Sequence, residues 1–166
     1  GAPLDAFSVR KLGVPGHEEL AMGAIATNGI EVFDRELIAA LRLTDDEVSD
    51  VVARERAELE RRVRMYRDRA SAPPVAGRRV IVVDDGLATG ASMTAAVRAL
   101  RVASPVQVVV AVPVAPAETC AALEAAADAV VCCATPEPFG GVGLWYEDFR
   151  QVDDDEVRRL LAEATP

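Results

Sequence analysis

Residues 80–83, Val-Ile-Val-Val, form an unbroken β-branched run that meets Asp84-Asp85 and then Gly86-Leu87-Ala88-Thr89-Gly90-Ala91-Ser92. Four such residues without polar alternation predict a strand buried on both faces, as in the interior of a parallel sheet. The residues after the run narrow the fold further. Two carboxylates lie at the strand's carboxyl end, glycines at 86 and 90 permit a tight turn, and helical apolar spacing resumes from Met93 to Arg101. Strand, acidic pair, small-residue loop and helix start together make an anion pocket. N–H groups of the loop and first helical turn lack intrahelical partners there, and the helix dipole adds partial positive charge. Thr89 and Ser92 contribute hydroxyl donors, while Asp84 and Asp85 accept from neutral groups. A sugar phosphate satisfies both requirements. A simpler reading assigns Asp85 or Thr89 to helix capping, but capping needs one such residue and the segment supplies four. A P-loop would end in Gly-Lys-Ser/Thr, and this segment contains no lysine.

The same residues resemble the phosphoribosyl pyrophosphate (PRPP) motif of the type I phosphoribosyltransferases: a hydrophobic run, two acids, then Ala-Thr-Gly-Ala-Ser. The resemblance implies that Asp84 and Asp85 hold the ribose 2- and 3-hydroxyls and that Ala88, Thr89, Gly90, Ala91 and Ser92 wrap the 5-phosphate. It implies transfer of the ribose 5-phosphate group of PRPP to or from a nitrogenous base, with pyrophosphate as leaving group. Mg2+ would be the cofactor, held mostly by phosphate oxygens and water, with Asp84 and Asp85 reaching it indirectly. Many members that use purines carry an acid where this chain has Ala88. General acid–base help of that kind contributes roughly two to four powers of ten in rate, so its absence argues against a purine substrate.

Two further regions extend the resemblance. Val9 to Leu20 is similar to the basic segment that leads into a flexible loop over the family's active site. Arg10 and Lys11 would then face pyrophosphate as catalytic cations, and His17 would ride on the loop. Around Gly140, Gly141 and Gly143, the aromatics Phe139, Trp145, Tyr146 and Phe149 gather four of the chain's seven. The corresponding family region covers the acceptor base, so Trp145 and Tyr146 would form a hood; ordinary packing of the loop on the sheet is the other reading. The family's earlier helix, strand and pyrophosphate-binding glycine loop are expected to be missing from these 166 residues. The site is therefore expected to be incomplete, or completed by another segment or chain. Beside a transferase, two readings stay open: a noncatalytic domain of the same fold that senses PRPP or nucleotides, and a domain severed from a larger enzyme.

Composition sets outer bounds. A chain of 166 residues is long enough for one domain with a sizeable core, and 51% hydrophobic with 27% charged residues reads as soluble and globular. No apolar run approaches the roughly 20 residues of a membrane helix, and a net charge of −9 argues against nucleic-acid binding. Cys120, Cys132 and Cys133 fit buried small side chains in a reducing, cytoplasmic setting. The partners expected are therefore small molecules, PRPP and a base, with a homodimer possible.

The remaining pattern gives the architecture. Pro3 to Arg10 reads as a strand, Gly13 to Gly16 as a loop, and Met22–Thr27 with Glu31–Phe33 as a hairpin around Asn28-Gly29. Asp34 caps a helix to Arg42, and Thr44 to Glu47 forms a capping box ahead of a long helix to Arg69. That helix carries an apolar stripe of Val48, Val51, Val52, Leu59, Val63 and Tyr66, either packed internally or used for dimer contact. Ala72-Pro73-Pro74 ends it. Val106–Val114 and Ala129–Cys133 read as further buried strands, separated by a helix from Ala117 to Ala127, and a terminal helix runs from Asp153 to Ala164. Strands alternating with helices predict a doubly wound, mostly parallel α/β sheet, a Rossmann-like core with flanking helices and a small hood. Ligands in such sheets bind beyond the strands' carboxyl ends, where Asp84 to Ser92 would lie.

Overall fold

The structure is a computed structural model that describes residues 2–66 and 73–164. It divides into two compact units, one formed by Gly1–Pro73 with Val152–Pro166 and the other by Pro74–Gln151.

In the N-terminal unit, β1 (Val9–Val14), β2 (His17–Ala26) and β3 (Ile30–Phe33) make an antiparallel sheet in that order. The first strand starts at Val9, not Pro3, so residues 3–8 lie outside it. The expected loop over 13–16 shrinks to a tight turn at Pro15-Gly16. The pairing of β1 with β2 continues to Val14 opposite His17, with irregular register around Gly13. The Asn28-Gly29 hairpin forms as predicted, through a single 3-10 turn at Thr27–Gly29.

Helix α1 (Arg35–Ala40) is capped by Asp34, whose Oδ1 accepts from the Leu37 N–H at 2.9 Å, and it ends two residues short of Arg42. The capping box closes reciprocally. The Thr44 N–H donates to Glu47 at 2.8 Å and the Glu47 N–H donates to Thr44 Oγ1 at 3.2 Å, which holds the Glu47 carboxyl below the usual range. Helix α2 (Asp45–Tyr66) comes next. Its stripe is packed internally, with Val51 and Leu59 in one core with Leu12, Val14, Met22 and Ile25, and Val48, Val52 and Val63 against it. The continuation to Arg69 and the stop at Ala72 lie outside the described residues, as does the side chain of Tyr66. Helix α5 (Asp154–Ala164) packs on α2, with Asp153 accepting from the Glu156 N–H at 2.8 Å.

The C-terminal unit holds β4 (Arg79–Val83), β5 (Gln107–Val114) and β6 (Ala129–Ala134) in a parallel sheet, in that order. The crossovers are α3 (Ala91–Val102) and α4 (Ala117–Glu124), the latter ending three residues before Ala127. Both steps move along the sheet in one direction. Right-handed crossovers then lay both helices on one face, so within this unit the sheet is singly covered rather than doubly wound. Burial agrees. Val108, Val110, Val112 and Val114 are at most 3% exposed, and Met93, Val97, Leu100 and Leu123 of the helices are likewise buried. Ile81 and Val83, on the other face, are 60% and 71% exposed. The expectation of strands buried on both faces therefore fails for β4 and for β6, where Val131 and Cys133 are exposed, while on β5 the second-face residues Val109 and Ala111 are half-buried. Hydrophobic identity alone records no face; the direction of the crossovers decides it. Pro113 lies inside β5, beyond the last pair with β4 at Val83 and Ala111.

Candidate active site

The chemistry gathers where β4 ends. Asp84 and Asp85 come directly after its last residue and are exposed. The Asp85 N–H turns back onto Asp84 Oδ1 at 3.0 Å. Partial burial pushes the Asp84 carboxyl above its ordinary range. The bond from Asp85 N–H opposes that shift, and the neighbouring Asp85 charge adds to it.

The loop beyond the acidic pair is fixed from beneath. The Leu87 N–H donates to the Val114 carbonyl at 3.0 Å, so the loop is tied to the end of β5. Gly86 sits so close to that strand that a Cβ would lie 2.9 Å from the Val114 oxygen and 2.7 Å from Val142 Cγ1, which leaves room only for glycine. Gly90 has φ +69°, the left-handed region, and a Cβ there would lie 2.8 Å from Thr119 Cγ2.

Gly90 is also the N-cap of α3, and no side chain caps that helix. The capping reading of Asp85 and Thr89 thus lacks its bond. Thr89 Oγ1 reaches only the Ala91 N–H, at a long 3.4 Å. No acid occupies the first turn, so an anion placed there meets donors without a neighbouring carboxylate in that turn.

Two residues reach the loop from elsewhere in the unit. Thr119, buried on α4, donates its hydroxyl to the Ala88 carbonyl at 2.8 Å. Tyr146 donates its hydroxyl to the Asp85 carbonyl at 2.6 Å, and its ring lies 5.2 Å from that of Phe149. Trp145 is 47% exposed and donates its indole N–H to the Phe139 carbonyl at 3.0 Å. The structure therefore brings together Asp84, Asp85, Ala88 to Ser92 and Tyr146. Thr119 escaped the sequence reading because a threonine in the first turn of an alanine-rich helix carries no local signal.

The other sequence candidates belong to the N-terminal unit. Arg10 and Lys11 are consecutive on β1, so strand alternation sends their side chains to opposite faces of the hairpin. Arg10 donates to Glu55 of α2 and is balanced within its own unit. Lys11 makes a 3.3 Å bond to the Glu19 carbonyl and a 3.9 Å pairing with the exposed Glu19 carboxylate. His17 opens β2 and is exposed. A cavity of about 260 Å3 in this unit, lined by Ile25, Ile30, Arg56, Leu59 and Val63 among others, contains none of the motif residues.

Among the described residues, no three His, Cys, Asp or Glu side chains cluster to cage a metal. Two exposed carboxylates fit a cation that arrives with its own oxygen ligands, as magnesium on a pyrophosphate does. None of the helices described is long and apolar enough to cross a membrane.

A family model described as phosphoribosyl transferase domain matches residues 18–147. Two curated relatives from Mycobacterium tuberculosis, strains CDC 1551 / Oshkosh and H37Rv, are each 41% identical over 163 residues, and both carry provisional names as phosphoribosyl transferases. The match covers 98% of this chain and 37% of each relative, so the chain spans little more than a third of their length. The crystal structure of TT1426 from Thermus thermophilus superposes with a TM-score of 0.87 at 40% identity, covering 98% of this chain and 76% of that one.

Proposed function

The chain belongs to the phosphoribosyl transferase family, and from that premise we propose that its β4–α3 loop binds PRPP for transfer of the ribose 5-phosphate group to or from a nitrogenous base. The observation that carries this reading is the uncapped start of α3 directly after two exposed carboxylates. N–H donors and carboxylate acceptors side by side match a ligand with a phosphate at one end and hydroxyls at the other.

In this reading Asp84 and Asp85 accept from the ribose hydroxyls. As the bond to pyrophosphate lengthens, positive charge develops at the anomeric carbon, and the two carboxylates oppose it. Charge-assisted hydrogen bonds of this kind contribute about 1.5–3 kcal/mol each. The loop from Ala88 to Ser92 holds the 5-phosphate. Asp84 and Asp85 would hold a magnesium ion brought by the substrate, which would supply charge neutralisation for the leaving pyrophosphate. Lys11 is paired with an exposed glutamate, whereas Arg10 is committed to Glu55 within its own unit. Trp145, half exposed beside Tyr146, offers a stacking face to a base. Ala88 leaves the loop without the acid that a purine acceptor would use, which favours a different base or, as a second reading, binding without turnover.

Calorimetric titration of magnesium and PRPP into this chain, with ribose 5-phosphate as comparison, tests the proposal. Binding of both supports the loop assignment, and tighter binding of PRPP supports pyrophosphate contacts. No binding of either ligand overturns the reading. Binding without product from any nitrogenous base offered favours the sensor.

A further inference from the structure

We infer that Thr119 and Tyr146 are positioning residues that set the peptide orientations of the ligand loop, Thr119 turning the Thr89 N–H toward the phosphate and Tyr146 holding the Asp85–Gly86 peptide at the acidic pair; this inference rests on the reading of the β4–α3 loop as a phosphate site. A loop that binds an anion through its backbone has a built-in difficulty. Every peptide unit carries a carbonyl as well as an N–H, and a carbonyl oxygen facing a phosphate repels it. Small residues and glycines make the loop pliant, so nothing in the motif itself fixes which of the two groups faces the ligand.

The structure supplies the missing restraint from outside the motif. A trans peptide is planar, with its C=O and the following N–H pointing in opposite directions. Thr119 Oγ1 bonds the Ala88 oxygen at 2.8 Å and draws it toward α4, so the Thr89 N–H of the same peptide points away from that helix. The Tyr146 hydroxyl bonds the Asp85 oxygen at 2.6 Å, which orients the Gly86 N–H in the same manner. Two hydroxyls thus act on two peptides of one loop from two different segments.

The surroundings make these bonds firm. Thr119 is 7% exposed, and its methyl lies under Gly90, where a Cβ would come within 2.8 Å of it. Leu123, one turn further along α4, lies beneath the same glycine and is 1% exposed. The two ends of the threonine side chain therefore act separately, the hydroxyl orienting the peptide and the methyl supporting the turn. Tyr146 is held by its contact with Phe149.

That division of labour makes the test direct. Thr119→Val keeps the shape and removes the hydroxyl, Thr119→Ser keeps the hydroxyl and removes the methyl, and Tyr146→Phe removes only the second hydroxyl. Ribose 5-phosphate is titrated into the parent chain and each variant by calorimetry, with amide NMR shifts of Thr89 followed in the same titration. Thr119→Val should bind about tenfold more weakly and show a diminished Thr89 response, while Thr119→Ser stays within about twofold of the parent. Tyr146→Phe should weaken binding several-fold with its thermal midpoint near that of the parent. Parent-like affinity and Thr89 response in both Thr119→Val and Tyr146→Phe would overturn the inference while leaving the site reading intact. Absence of binding by the parent would overturn the site reading and this inference with it.

Discussion

The Arg10 guanidinium donates to a single oxygen of Glu55 from both Nε and Nη2, at 2.9 and 2.6 Å. Side-chain exposures of 29% and 14% leave the pair partly shielded, so the bond belongs to the packing of β1 on α2. Replacement of Arg10 by Met should lower stability by about 1–2 kcal/mol, because Glu55 keeps a largely buried charge without its main partner. Chemical denaturation measures this. PRPP affinity should change less than about twofold, below the tenfold that 1.4 kcal/mol represents; a large loss would return Arg10 to the ligand site.

Asp85→Asn should weaken ribose 5-phosphate and PRPP alike, by roughly tenfold to a hundredfold, the equivalent of one charge-assisted hydrogen bond. Titration of the two ligands side by side checks it. Equal affinity in parent and variant would remove the acidic pair from the site.

Burial, joined by the charge of Asp85 and opposed by the Asp85 N–H, leaves the Asp84 carboxyl raised from 3.8. The folded state therefore holds this proton more tightly than the unfolded state does. The stability it contributes is complete below 3.8 and is lost as pH rises through the raised value. Asp84→Asn removes that loss and keeps an acceptor for the Asp85 N–H. Its thermal midpoint should exceed the parent's near neutral pH, and the advantage should disappear in scans below 3.8. A pH-independent difference would assign the effect to something other than titration.

Gly90→Ala should destabilise the protein by about 1–3 kcal/mol, since φ +69° disfavours a Cβ and the new methyl would press on Thr119. Denaturant midpoints read this directly. The same substitution should weaken ribose 5-phosphate, because it displaces the threonine that orients the loop.

Val110→Ala and Val83→Ala remove the same atoms from opposite faces of one sheet. Val110 is fully buried against the helices, and its truncation should cost about 2 kcal/mol, from lost burial of methyl groups plus a cavity. Val83, 71% exposed, should cost less than about 0.5 kcal/mol. Equal losses would mean that the second face is covered in solution.

Much of the local structure was legible in the residues. The capping box at Thr44 and Glu47 closes as its spacing demands, as do the ion pairs of Glu58 with Arg62 at 3.1 Å and Glu60 with Arg64 at 3.4 Å. Glu58 also bonds Arg61, and the two arginines hold its carboxyl at about 2. These features depend on neighbours within one helical turn, so the spacing contains them. The strand before Asp84 and the helix after Ser92 were legible for the same reason. The start of β1 was not, because Leu4 and Phe7 look like strand residues although the strand begins only at Val9.

The order of strand, acidic pair, glycine loop and helix is written in neighbouring residues, and with it the donors that a phosphate-sized anion would meet. Backbone conformation and the nearest side chains decide these, and both are encoded within a few residues. Which sheet face is covered, the balancing of Arg10 by Glu55, and the bonds by which Thr119 and Tyr146 tie down the carbonyls of Ala88 and Asp85 emerge only once the chain is folded. The contacts behind these facts join residues far apart in the chain: 31 positions from Ala88 to Thr119, 45 from Arg10 to Glu55 and 61 from Asp85 to Tyr146. A hydroxyl on a helix becomes a positioning group only when the crossover brings that helix under the loop, and the direction of the crossover is a property of the assembled sheet.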